Sequence, residues 1–261
     1  MKRLAVALVL VPLLYLYVMY LPAEYYLFLL IFVSTGALAE FYAICRVPAL
    51  LRFAGLAGGV ALLAALFLKP HLFVPLLLFC VLAVTSLRLF QKRDAAGSIN
   101  DVAPVVLGLL YVPGLLSFQL DIVRNNPAWL VMLFAAIWGA DSMAYYVGTG
   151  IGKRKLYPEI SPKKTVEGAV GSLAGGIIGA GLIRFTLLGH VTIGQAVLLG
   201  LVVAAASVAG DLVESMFKRD AGVKDSGTIM PGHGGLLDKV DSATFAGPAF
   251  YWCCVWLGLM R

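Results

Sequence analysis

An all-α polytopic membrane protein is the fold class this sequence predicts, and three observations predict it. Hydrophobic residues fill 61% of the 261 positions and charged residues only 13%, about half the charged share of a soluble domain. Apolar stretches long enough to cross about 30 Å of hydrocarbon recur along the chain. Lysines and arginines fall almost entirely on alternate connections between those stretches.

Taken in order, the stretches cover residues 4–21, 25–45, 50–68, 71–90, 102–122, 127–149, 169–189, 193–217 and 243–260, about nine transmembrane helices. The second, third and seventh are interrupted by Glu40, by Gly58-Gly59 and by Arg184 respectively. With the N-terminus in the cytoplasm, the inner connections carry Lys2, Arg3, Arg46, Arg52, Arg88, Lys92, Arg93, Lys153, Arg154, Lys155, Lys163, Lys164, Lys218, Arg219, Lys224 and Lys239. The outer connections carry Lys69, Arg124 and Arg261. This asymmetry fits nine helices, N-terminus inside and C-terminus outside. No small-x-small cleavage site follows the first stretch, which therefore reads as an uncleaved anchor.

The net charge of +6 reads as this bias plus an anionic ligand. A nucleic-acid partner is not expected, because the basic residues sit in short inter-helix loops. Cys45, Cys80, Cys253 and Cys254 show no metal-ligand spacing and read as buried, reduced thiols. Residues 1–123 read as a helical scaffold of five helices and residues 124–261 as the catalytic membrane region, both in one integrated domain. Tyrosines 15, 17, 20, 25 and 26 form an interfacial belt. The glycines at 171, 175, 176, 179 and 181 suit close helix packing.

Four polar pieces carry the chemistry. Asp141 and Tyr145 lie four apart on one helical face. Ser161-Pro162-Lys163-Lys164-Thr165 leads into Glu167-Gly168 at a helix start, where free N–H groups favour an anion. Ser207, Asp211, Glu214, Ser215 and Lys218 form a polar stripe on an otherwise aliphatic helix. The segment from Ser215 to Asp241, SMFKRDAGVKDSGTIMPGHGGLLDKVD, packs four cations, four carboxylates and a Gly-His-Gly-Gly turn into one run. That mixture suits a polyphosphate with a divalent metal. His233 has no second His or Cys at zinc spacing and reads as a phosphate or backbone donor. Each piece also has a plainer reading, as an interhelical hydrogen bond, a positive-inside loop or a structural turn.

The Ser215–Asp241 segment resembles the signature of the phosphatidate cytidylyltransferases (CDP-diacylglycerol synthases): Ser-x-x-Lys-Arg, Lys-Asp, Pro-x-His-Gly-Gly, then Asp-Arg-x-Asp. Asp141-Ser142-x-Ala-Tyr145 and Ser161-Pro162-x-Lys164-Thr165-x-Glu167-Gly168 resemble that family's upstream blocks. Lys239 stands where the family has arginine, which keeps the charge and loses the bidentate fork. The resemblance implies CMP transfer from CTP to phosphatidate, giving CDP-diacylglycerol and pyrophosphate. It implies a bacterial inner-membrane enzyme with a cytoplasmic-face site, and a homodimer. It also implies a cation pair, Mg²⁺ with a second ion such as K⁺.

On that basis Asp211 and Asp238 are the expected Mg²⁺ ligands, with Glu214, Asp225 and Asp241 in or around the shell. Lys218, Arg219, Lys224 and Lys239 are expected at the CTP phosphates with the turn Gly232, His233, Gly234 and Gly235. Asp141, Tyr145, Lys164 and Glu167 are expected to contact nucleotide or lipid phosphate. Two other classes stay open: a CTP-dependent polyprenol or lipid kinase, which would release CDP, and an ion-coupled transporter. Against the transporter, the polar helices lie only in the second half, with no sign of an inverted repeat.

Overall fold

The computed structural model describes residues 2–92, 94–227 and 234–260, with side chains from residue 11 onward. Ten α-helices follow one another: α1 (Lys2–Tyr20), α2 (Ala23–Ile44), α3 (Ala49–Leu68), α4 (Phe73–Gln91), α5 (Ser98–Leu109), α6 (Phe118–Asn125), α7 (Pro127–Gly150), α8 (Val166–Thr186), α9 (Ile193–Asp220) and α10 (Leu237–Trp256). Among the described residues seven helical stretches are long and apolar enough to cross a membrane. The protein is an all-α polytopic integral membrane protein. Its strands among the described residues form an antiparallel hairpin of β1 (Lys155–Tyr157) and β2 (Ser161–Thr165), paired Lys155 to Thr165 and Tyr157 to Ser161 with an irregular register between.

The helix ends follow local chemistry. Asn126 caps α7 by accepting the Ala128 N–H, with Pro127 in the first turn where its missing N–H costs nothing. At α9, Thr192 Oγ1 accepts the Gln195 N–H while Gln195 Oε1 accepts the Thr192 N–H, a reciprocal capping box. At the other end of α9, Gly222 adopts φ +72°, with Val223 N–H to Lys218 O and Gly222 N–H to Arg219 O. This is a Schellman stop, which turns the chain sharply into the Lys224-Asp225 segment.

The stretch expected at 102–122 is not one straight helix. A π turn at Leu110–Gly114 separates α5 from α6, at Pro113, which has no N–H to give the helical ladder.

The chain forms two compact units built from interleaved segments. One comprises residues 1–29, 118–208 and 246–261. Its spine is the pairing of α7 with α8, glycine against glycine: a Cβ on Gly175 would strike the Gly139 carbonyl, one on Gly179 the Ala135 carbonyl, and one on Gly171 the Val147 side chain. Such backbone approach is what small residues allow between membrane helices. Gly176 meets Gly200 of α9 in the same way.

The second unit comprises residues 30–117 and 209–245. Its core centres on Tyr42, fully buried between Gly55 of α3 and Gly108 of α5, its hydroxyl donating to the Val105 carbonyl at 3.0 Å. The π turn aims Tyr111 into an aromatic cluster with Phe41, Phe217 and Phe245, ring centroids 5.8, 5.4 and 6.4 Å away. Arg88, 2% exposed, ties the loop after α4 together. It donates to Asp101 (2.6 Å), Asp94 (3.0 Å) and the carbonyls of Lys92 and Ala96.

Candidate active site at the α9–α10 junction

Glu214 and Lys218 are one turn apart on α9, and both are buried. The Lys218 ammonium pairs with Glu214 and lies 2.5 Å from Asp238 Oδ1 in the first turn of α10. Asp238 Oδ2 accepts from the Ser226 N–H (3.0 Å), the Ser226 hydroxyl (2.9 Å) and the Gly235 N–H (2.8 Å). Burial raises the pKa of Asp238, but the Lys218 ammonium and the Gly235 and Ser226 N–H groups outweigh it and hold the value at about 2. Asp238 is therefore an anion across the physiological range. Gly234 makes this arrangement possible twice over: it sits at φ +82°, and a Cβ there would press on the Asp238 carboxylate.

The two helices meet backbone to backbone nearby. A Cβ on Gly210 would strike the Asp241 carbonyl, so α9 and α10 approach closely beside Asp211. Asp211 is half-buried and accepts from the Ser215 hydroxyl at 3.3 Å. Asp241 Oδ1 accepts the Ser242 N–H at 2.7 Å. Glu214 is fully buried, and neither of its oxygens meets a hydrogen bond of ordinary geometry although Lys218 is in ion-pair contact. Among the described residues no three Asp, Glu, His or Cys side chains stand gathered as a ready metal-ligand group. Glu214 and Asp238 instead share one lysine.

The other three cations of the Ser215–Asp241 segment face outward. Arg219, Lys224 and Lys239 are exposed, as is Asp225; Arg219 also donates to the Val223 carbonyl at 3.1 Å. The Lys218 ammonium is engaged by two carboxylates. Gly234 and Gly235 flank Asp238, while Gly232 and His233 lie outside the described residues.

Sequence reasoning missed Glu40. It is 7% exposed on α2, and its carboxylate accepts from the Leu236 N–H (3.0 Å), the Leu237 N–H (2.8 Å) and the Ser226 hydroxyl (2.9 Å). The signal was present: a carboxylate inside an apolar span demands partners. Nothing in the sequence named those partners, which lie 186 to 197 residues away.

In the other unit Asp141 is exposed on α7 and accepts from the Ser207 hydroxyl at 3.4 Å. Tyr145, 63% exposed, follows one turn later. Thr165 caps α8 by accepting the Gly168 N–H at 3.1 Å, in a pocket that Gly148 and Gly152 leave open. Glu167 accepts the backbone N–H of Lys153 (3.0 Å) and Arg154 (3.2 Å), and so braces the loop before β1. Lys164 on β2 is half-buried beside it.

The fold and site are those of a polytopic membrane protein with a buried carboxylate–lysine cluster where α9 meets α10. The chain belongs to the cytidylyltransferase family, whose model matches residues 1–257. It is 44% identical over 148 residues to a phosphatidate cytidylyltransferase of Haemophilus influenzae, covering 54% of this chain and 51% of that one. To one from Synechocystis it is 46% identical over 141 residues, covering 51% and 46%. To one from Bacillus subtilis it is 37% identical over 177 residues, covering 67% and 65%. The matched segment thus spans about half the length of the first two relatives.

Proposed function

We propose that this protein transfers CMP from CTP to phosphatidate, forming CDP-diacylglycerol and pyrophosphate for phospholipid synthesis. The observation that carries the reading is the Glu214–Lys218–Asp238 cluster inside a chain of the cytidylyltransferase family. An oxygen of the phosphatidate phosphomonoester attacks the α-phosphorus of CTP. The bond from that phosphorus to the bridging oxygen breaks, and pyrophosphate leaves with the electron pair. The attacking group has a second pKa near about 6 and is largely dianionic at neutral pH, so no strong general base is required. The obstacles are repulsion between two anions and charge growing on the leaving group.

By chemical type the donors suit a hard cation, although among the described residues they are not gathered into one ligand group. Asp211, Glu214, Asp238 and Asp241 are oxygen ligands of the kind Mg²⁺ prefers, and the buried Glu214 carboxylate lacks hydrogen bonds of ordinary geometry. Asp211 and Asp238 would hold Mg²⁺, with Glu214, Asp225 and Asp241 around it and a second cation such as K⁺ sharing them. When bound, the metal screens the two anions and draws off leaving-group charge. Arg219, Lys224 and Lys239 are exposed cations suited to CTP phosphates, with the turn from Gly232 through His233 to Gly235 offering N–H donors. Lys218 holds Asp238 ionised and gives its own charge to phosphate only if it leaves that pair. Asp141, Tyr145, Lys164 and Glu167 are proposed substrate contacts, Glu167 acting through the loop it braces.

The reading extends to topology: nine crossings, the N-terminus in the cytoplasm and the C-terminus outside, with the chemistry at the cytoplasmic face of a bacterial inner membrane, in a homodimer. Basic residues at both ends of the 151–165 and 218–239 segments support that orientation. The test is incubation of the purified protein with CTP, Mg²⁺ and phosphatidate, followed by mass analysis of the lipid. CDP-diacylglycerol is expected. A phosphorylated lipid with release of CDP would mean a lipid kinase instead.

A further inference from the structure

The geometry points to Glu40, on the second helix, as a positioning residue that fixes Asp238 for the reaction proposed above. Its carboxylate does three things at once. It accepts the N–H groups of Leu236 and Leu237, which open α10 and have no acceptor within that helix. It accepts from the Ser226 hydroxyl at 2.9 Å, and that same hydroxyl lies 2.9 Å from Asp238 Oδ2. It also fills the space that Gly227 and Gly235 leave vacant, since a Cβ on either would collide with it.

One hydroxyl has one proton to give. Ser226 therefore serves Glu40 or Asp238 at any moment, and its proton is a direct link between the two carboxylates. The backbone just before Asp238 is held as well: Gly235 N–H goes to Asp238 itself, while Leu236 and Leu237 go to Glu40. A carboxylate in an apolar helix is expensive. This one is satisfied by donors drawn from the signature segment, so Leu236 and the start of α10 have a fixed seat on α2. Second-layer partners of this kind set the orientation of the group they support. The inference rests on the functional reading for its kinetic consequence, but not for its structural one.

Two measurements on detergent-purified full-length protein test it. The first is hydrogen exchange of the Leu236 and Leu237 amides in the wild type and in Glu40→Gln, which keeps the side-chain length but puts a donor where an acceptor stood. Exchange at these two amides should quicken by about tenfold or more, with α7 unchanged. The second is kinetic. The Mg²⁺ concentration for half-maximal turnover should rise by about tenfold or more, while that for phosphatidate stays within about twofold. If the glutamine variant does not fold, Glu40→Asp, which keeps the charge but draws it back by one carbon, should show both effects in weaker form. Unchanged amide exchange overturns the inference. So does an equal shift in both half-saturation values, which is what general loss of structure would give. If the wild type makes no CDP-lipid, the functional reading falls by itself, and the exchange measurement, which needs no turnover, still decides the role of Glu40.

Discussion

The Lys218 ammonium lies 2.5 Å from Asp238 Oδ1 and in contact with Glu214, so one buried cation joins a carboxylate of α9 to a carboxylate of α10. Lys218→Met would leave the fully buried Glu214 without its charge partner. Removing one member of a buried pair costs about 3–5 kcal/mol. The variant should unfold at clearly lower denaturant or temperature than the wild type in the same detergent. Lys218→Met with Glu214→Gln should recover most of that loss. Equal stability of wild type and single variant would mean that the pair is not formed.

Asp211→Asn should leave insertion and purification unchanged, since its Ser215 partner can still donate to the amide oxygen. Turnover measured with labelled CTP should fall by about a hundredfold or more, the size expected when one group stabilising transition-state charge is lost. Near-normal turnover would remove Asp211 from the cation site.

The α7–α8 seam makes a contrasting pair of expectations. Gly175→Val would drive a side chain into the Gly139 carbonyl, and overpacking of that kind costs about 1–3 kcal/mol. Gly181, on the same helix, has nothing within 4 Å of a Cβ. Gly181→Ala should be neutral or stabilise by up to about 1 kcal/mol. Melting temperatures of the two purified variants separate them; matching losses would contradict the glycine seam.

Thr165→Ala removes the cap on the Gly168 N–H and should cost about 1 kcal/mol, with Thr165→Ser close to wild type. Thermal unfolding is the readout. An alanine variant as stable as the serine one would mean that the hydroxyl does not cap α8.

Much of this was legible in the sequence, for identifiable reasons. Hydrocarbon thickness fixes a minimum apolar length, so every expected stretch contains a helix, and the Gly171, Gly175 and Gly179 series marks the α7–α8 contact itself. The polar stripe on α9 was visible from helical spacing alone, and Glu214 and Lys218 do meet one turn apart. What stayed hidden is what spacing cannot encode. The 155–165 hairpin has no alternating pattern and carries Pro158 and Pro162, so it reads as loop. The π turn at Pro113 divides an otherwise continuous apolar run into α5 and α6. Glu40 gave its presence but not its partners, and the engagement of Lys218 by two carboxylates depends on a contact between residues 20 apart that no local period reports.

The most direct test of cytidylyl transfer uses two preparations of CTP, labelled at the α- or at the γ-phosphate, each incubated with the purified protein, Mg²⁺ and phosphatidate. The expected result is α-label in the lipid fraction and γ-label in pyrophosphate, with both lost in Asp211→Asn. Recovery of γ-label in the lipid, with α-label in CDP, would contradict it.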